Sequence, residues 1–135
     1  IERTNTDHKI AVKNMKDATV IGDEERISQV LINFITNAIK YSPDDENVEI
    51  KVQKTKNGHI AVSVKDHGIG INKKDQKKIF ERFYRVDGEN QETYSGFGIG
   101  LYLCNEIIKR HNGSISVESK KGKGSVFTFA LPCEK

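Results

Sequence analysis

An α+β fold, with helices laid on one face of a sheet, is predicted by three features of this 135-residue chain. One segment, "EERISQVLINFITNAIKYSP", carries a long helical repeat of apolar residues. Two others alternate apolar and polar residues on both sides of a turn, as hairpins do. Strands and helices mixed in this way, without a regular strand–helix–strand alternation, favour one sheet covered by a helical layer.

The elements follow in order. "HKIAVKN" (8–14) and "ATVIGD" (18–23) read as short strands, with Gly22 and Asp23 closing the second and Asp23 placed to cap the helix behind it. In that helix Ile27, Val30, Leu31, Phe34, Ile35, Ala38 and Ile39 follow the i, i+3, i+4, i+7 rule, and Pro43 stops the run. "NVEIKVQKTKNGHIAVSVKDHG" reads as a hairpin about Asn57-Gly58. A helical pattern is expected across "NKKDQKKIFERFYRV", then an aperiodic polar stretch, then the helix "IGLYLCNEIIKRHN" with Gly113 as its stop. The tail forms two alternating runs about a Lys/Gly turn.

Composition narrows the function classes. With 36% hydrophobic residues the chain suits one domain with a single core. The 22 basic and 19 acidic residues nearly balance, so a nucleic-acid partner is not expected, although a local basic site is permitted. Cys104 and Cys133 lie far apart, which suits a reduced, cytoplasmic setting. No apolar run approaches a membrane span, and the N-terminus lacks a signal-peptide layout. The polar start without methionine suggests a domain taken from a longer protein.

Two features carry chemistry. Arg26, Gln29, Asn33, Asn37 and Lys40 fall on one stripe of the long helix. Asparagine is a poor helix former, so a mid-helix pair at i, i+4 is costly unless its side chains act. An amide oxygen is a hard neutral ligand suited to Mg²⁺, and lysine supplies a point charge for phosphate. The second feature is "DHGIGI", 66–71, which reads either as a strand-ending turn or as an edge where Asp66 accepts from an exocyclic amine while Gly68 and Gly70 admit a flat ring.

The glycines of "SGFGIGLYLCNEI" (95–107) directly precede a helix, where unpaired N–H groups and the helix dipole favour an anion. A flexible turn would use the same residues. Their G-x-G-x-G spacing is not that of a dinucleotide fingerprint. "GKGS" (122–125) also fails as a phosphate loop, because Val117 and Gly124 stand where glycine and Ser/Thr are needed; it reads as a hairpin turn.

In order, "LINFITNAIKYS", "DHGIG", "IFERFYRVD" and "GFGIGL" resemble the N, G1, F and G2 boxes of the catalytic ATP-binding domain of sensor histidine kinases, a superfamily shared with gyrase B. The resemblance spans residues 8–132 and implies a Bergerat-type two-layer sandwich, a mixed, mostly antiparallel sheet with about three helices on one face. It implies ATP and Mg²⁺ as cofactors. Asn37 becomes the metal ligand, and Asn33 a second polar group at the phosphates, with Lys40 and Tyr41 near the nucleotide. Asp66 would read the adenine amine, with Gly68, Gly70 and Ile71 shaping its pocket. Phe80 and Phe83 would anchor the F box, and Arg85 would reach the terminal phosphate. Gly96, Phe97, Gly98, Ile99, Gly100 and Leu101 would line the phosphates, and residues 86–97 would form the ATP lid. Asn33, Lys40 and Arg85 are the catalytic candidates.

Phe97 departs from the small residue usual there. Asn33 stands where hydrolysing relatives carry a glutamate base, and an amide cannot take that role. None of His8, His59, His67 and His111 fits the helical context of a phosphoacceptor. The implied reaction is therefore γ-phosphoryl transfer to a histidine on a separate helical-hairpin domain of the same parent, with a response regulator downstream. The isolated domain is expected to be a monomer and the parent a homodimer, cytoplasmic in this part, with anchoring in the inner membrane left open. The alternatives are an ATP-driven switch of gyrase or chaperone type, an anti-sigma-type serine kinase, and a degenerate interaction domain of the same fold.

Overall fold

The computed structural model describes residues 9–13, 22–41, 47–76, 78–81 and 100–133. Strand β1 (Lys9–Lys13) precedes helix α1 (Glu24–Tyr41), which leads into the hairpin of β2 (Asn47–Lys54) and β3 (His59–Asp66). The short helix α2 (Lys73–Gln76), helix α3 (Gly100–Arg110) and the hairpin of β4 (Ser114–Lys120) and β5 (Gly124–Pro132) follow. The sheet order is β1-β2-β3-β5-β4. β1 runs parallel to β2 and every other pairing is antiparallel, so the mixed, mostly antiparallel sheet is borne out. A parallel pair cannot close through a tight turn, and α1 lies within the connection that joins β1 to β2. The expected strand 18–23 falls mostly outside the described residues; its last two, Gly22 and Asp23, form a bend ahead of α1 rather than strand.

Asp23 caps α1 as its position predicts, since its Oδ1 accepts from the Arg26 N–H at 3.2 Å. Glu24 and Glu25 then place negative charge on the first turn, where the helix dipole favours it. One face of α1 buries Val30, Phe34, Ile35 and Ala38. Phe34 meets Phe127 and Phe129 of β5 in tilted contacts, with ring centroids 5.4 and 5.9 Å apart. These three rings centre the core, and geometry of this kind adds to plain area burial.

The sheet registers make the helix-facing side legible as rows. Val62, Phe129 and Ile115 stand abreast, and so do Val64, Phe127 and Val117. The next row in the same direction is Asp66, Ser125 and Ser119. Because side chains alternate faces along a strand, this polar row lies on the core side and closes one end of the apolar layer. The opposite face carries Ser63 and Thr128, whose hydroxyls lie 2.9 Å apart across β3 and β5.

The β2–β3 turn is a three-residue loop. Thr55 N–H donates to the His59 carbonyl at 2.8 Å, and Gly58 supplies the left-handed conformation (φ 79°) that ends it. Within the pattern "NKKDQKKIFERFYRV", helix α2 covers Lys73–Gln76 and turns follow over 78–80, while 77 and 82–86 lie outside the described residues. Its few residues are held by tertiary bonds rather than by an apolar stripe: Asp75 is buried, and Gln76 reaches β4. Helix α3 ends where expected, but the left-handed residue is Asn112 (φ 63°) instead of Gly113. Gly113 N–H then reaches back to the Ile108 carbonyl at 2.9 Å, closing a Schellman-type end.

Candidate nucleotide site

Asn33 and Asn37 sit one turn apart on α1 and are both 3% exposed. The Asn37 amide nitrogen donates to Asn33 Oδ1 at 3.3 Å. That bond orients Asn37 so that its own Oδ1 is free, and this oxygen is buried without a hydrogen-bond partner. A buried polar atom left unpaired costs roughly 1–3 kcal/mol, so its presence on the helix asks for a ligand-side explanation. A neutral, oriented oxygen fits a hard cation that keeps most of its shell as water and phosphate. Among the described residues no three His, Cys, Asp or Glu side chains gather into a metal-holding group. Among the described residues the Asn37 amide oxygen is the atom placed to hold a divalent cation.

Asp66 ends β3 on the core face and is 5% exposed. Burial pushes its carboxyl above the usual aspartate range, while backbone N–H groups of Gly68 and Ser125 and the nearby His67 offset part of that rise. Gly68 N–H donates to Asp66 Oδ1 at 2.8 Å, fixing the side chain by a short local turn. Helix α1 packs against both β2 and β3, so the amide pair and the carboxylate belong to adjoining elements.

The loop after Asp66 is shaped from below by the β4–β5 turn. Gly70 has φ 72°, and a Cβ there would collide with the Lys120 carbonyl. Gly122 N–H donates to the Ile69 carbonyl at 2.6 Å. The "GKGS" segment is thus a hairpin turn, and it serves as the floor of the Asp66 loop. Gly70 owes its bareness to this backbone contact. Ile71 and Leu101, both 2% exposed, pack into the hydrophobic core beside the site. Gly100 opens α3 with φ 62°. Phe80 is half-buried and stands edge-on to Phe127 at 6.3 Å. Phe83, Arg85, Gly96, Phe97, Gly98 and Ile99 lie outside the described residues, as do the side chains of Lys40 and Tyr41 in the last turn of α1.

A cleft of about 410 Å³ lies elsewhere, lined by Asp23, Arg26 and Gln29 of the α1 start and by Tyr102, Leu103 and Glu106 of α3 among others. Arg26 and Asn37 are separated by about 16 Å along the helix axis. The cleft contains neither asparagine of the pair nor Asp66, so cavity volume and site chemistry point to different places. The buried unpaired oxygen and the buried carboxylate are the more specific signals.

Sequence reasoning missed Gln76, Ser119 and Ser125. Gln76 Nε2 donates to the Ile71 carbonyl at 2.6 Å and to the Ser119 carbonyl at 2.8 Å. Ser119 Oγ accepts from Ile71 N–H at 2.7 Å, donates to the Gly124 carbonyl at 2.9 Å, and lies 2.7 Å from Ser125 Oγ. No spacing rule connects these positions, which meet only through strand register.

A helix-on-sheet layer, with a buried amide pair on its long helix and a buried carboxylate at the sheet's end, makes this an α/β sandwich with a polar site at one end of its core. The chain belongs to the histidine kinase-, DNA gyrase B- and HSP90-like ATPase family, whose model matches residues 22–135. It is 41% identical over 134 residues to the sensor histidine kinase WalK of Bacillus subtilis (strain 168), covering 97% of this chain and 22% of that protein. It is 40% identical over 134 residues to the sensor-like histidine kinase SenX3 of Mycolicibacterium smegmatis, covering 93% of this chain and 35% of that one. The mycobacterial sensor histidine kinase MprB superposes with a TM-score of 0.79 at 25% identity, over 95% of this chain and 83% of that structure. Full-length ShkA in complex with AMPPNP gives 0.79 at 28% identity, over 95% and 26%. The chain thus spans only a fifth to a third of the curated relatives it matches. Among the described residues, no helix is long and apolar enough to cross a membrane.

Proposed function

We propose that this domain binds Mg·ATP and transfers the γ-phosphoryl group to a histidine on a separate helical-hairpin domain, as part of a dimeric sensor kinase that feeds a response regulator. The observation that carries the reading is the buried Asn33–Asn37 pair, which offers an oxygen to a cation and no carboxylate to activate water. Asn37 would hold Mg²⁺, which when bound neutralises charge on the phosphate oxygens. Asp66 accepts from the adenine exocyclic amine and repels a carbonyl in the same place. Lys40 and Arg85 supply positive charge to the phosphates, residues 86–97 close over them as a lid, and Gly96, Gly98 and Gly100 bring backbone N–H groups to the same oxygens. In the transfer the bond from the γ-phosphorus to the ADP oxygen breaks and a bond to the acceptor imidazole nitrogen forms. The protein's share is positioning and charge stabilisation.

The sensor-kinase names of the relatives support this reading over the gyrase-type switch and the serine kinase. The test is to incubate the domain with ATP labelled in the γ-phosphate and a histidine-bearing helical hairpin from a sensor kinase. An acid-labile, alkali-stable label on the hairpin is expected. Label on a hydroxyl residue, or phosphate released to water as the main product, would overturn it.

A further inference from the structure

We infer that Gln76 and Ser119 are positioning residues for base recognition, holding the 67–71 loop so that Asp66 faces the adenine amine. The inference rests on the proposed role of Asp66 and extends it to residues that touch no nucleotide.

Both backbone polar groups of Ile71 are gripped from outside the loop. Its carbonyl takes a hydrogen from Gln76 Nε2, and its N–H gives one to Ser119 Oγ. The same Gln76 amide donates its second hydrogen to the Ser119 carbonyl, so one NH₂ group ties α2, the loop and β4 together. Two carbonyl acceptors fix which end of the amide faces them, because only the nitrogen can donate. Ser119 Oγ is also fully used: it donates to the Gly124 carbonyl and therefore accepts the hydrogen of Ser125 Oγ. Gly122 N–H holds the Ile69 carbonyl from the same turn. The loop is anchored at Ile69 and Ile71, while at its near end Gly68 N–H orients the Asp66 carboxylate. The backbone N–H groups of Gly68 and Ser125 hold the Asp66 carboxylate, and the first of them belongs to the loop that Gln76 and Ser119 anchor.

A purely structural glutamine would affect stability and leave base choice alone. A positioning glutamine changes the preference between adenine and guanine while sparing phosphate binding, because the amide pair on α1 is untouched. Gln76→Met keeps length and removes both donors. Ser119→Ala removes the acceptor for Ile71 N–H, and Ser119→Thr restores a hydroxyl in a strand that tolerates β-branching. Thr128→Val is the control, deleting a hydroxyl bond on the far face of the same sheet.

The measurement is calorimetric binding of ATP, GTP and inorganic tripolyphosphate, each with Mg²⁺, to the 135-residue chain and its variants, with a thermal melt of each. For Gln76→Met and Ser119→Ala the ATP-over-GTP ratio is expected to shrink by about fivefold or more, the effect of one misplaced hydrogen bond. Tripolyphosphate affinity is expected to stay at the wild-type value, and Ser119→Thr and Thr128→Val to keep the wild-type ratio. If Gln76→Met fails to fold, the Ser119→Ala and Ser119→Thr pair decides alone. A wild-type ratio in folded Gln76→Met and Ser119→Ala, alongside a collapsed ratio in Asp66→Asn, would overturn this inference and leave the role of Asp66 standing. A wild type without preference for ATP would overturn both.

Discussion

Replacing Asp66 with asparagine separates the two consequences of burying a carboxylate. The side chain is 5% exposed, and its burial raises the carboxyl's pKa above 3.8, the ordinary aspartate value. In its proposed role the carboxylate accepts from the adenine amine; where the asparagine turns its NH₂ to that place instead, the amine is left unpaired, at a cost of roughly 1–3 kcal/mol, or about one to two decades of affinity. Guanine presents a carbonyl at the same place, and the introduced amide can donate to it, so the ATP-over-GTP ratio should narrow even where total affinity falls. The effect on folding has a definite pH direction. Between 3.8 and the raised native value the folded state binds more protons than the unfolded one, so wild-type stability falls as pH rises through that window. Asparagine has no charge to bury, so the stability difference should move in favour of the variant between acid below 3.8 and neutral pH. Competition binding of ATP and GTP reads the first effect, and thermal melts across pH read the second. An unchanged nucleotide ratio would reduce Asp66 to a turn residue, and a pH-independent stability difference would refute the burial argument.

Asn37→Ala should weaken Mg·ATP far more than metal-free ATP in paired calorimetric titrations, and equal losses would remove Asn37 from the metal site. ATP turnover by the isolated domain should stay close to background in a phosphate-release assay; robust turnover abolished by Asn33→Ala would favour the hydrolytic switch. His111 links the ends of two helices, since its Nε2 accepts from Asp23 N–H at 3.0 Å and its Nδ1 lies 2.8 Å from the Ile107 carbonyl. His111→Phe should therefore destabilise the fold by about 1–3 kcal/mol in urea denaturation while leaving the ATP-over-GTP ratio unchanged. Gly70→Ala combines a left-handed backbone with a collision against the Lys120 carbonyl, and should lower both thermal stability and ATP affinity.

The sequence alone determined the elements whose signal is local. The period of α1, its cap at Asp23 and its acidic first turn are all written within a few residues, and so are the β2–β3 hairpin at Asn57-Gly58 and the stop of α3. The order of the four boxes carried the family, because each box keeps its chemistry within one turn or one loop. Register and long-range pairing were decided only by the tertiary structure. That β1 lies parallel to β2, that Asp66, Ser125 and Ser119 form one polar row, and that the "GKGS" turn supports the Asp66 loop all depend on which strands become neighbours. Helix α2 shows the same division: Gln76 satisfies two carbonyls from other segments, and those bonds have no counterpart in a local pattern. The free oxygen of Asn37 was legible as a residue type but not as an unpaired atom, since pairing is a property of everything packed around it.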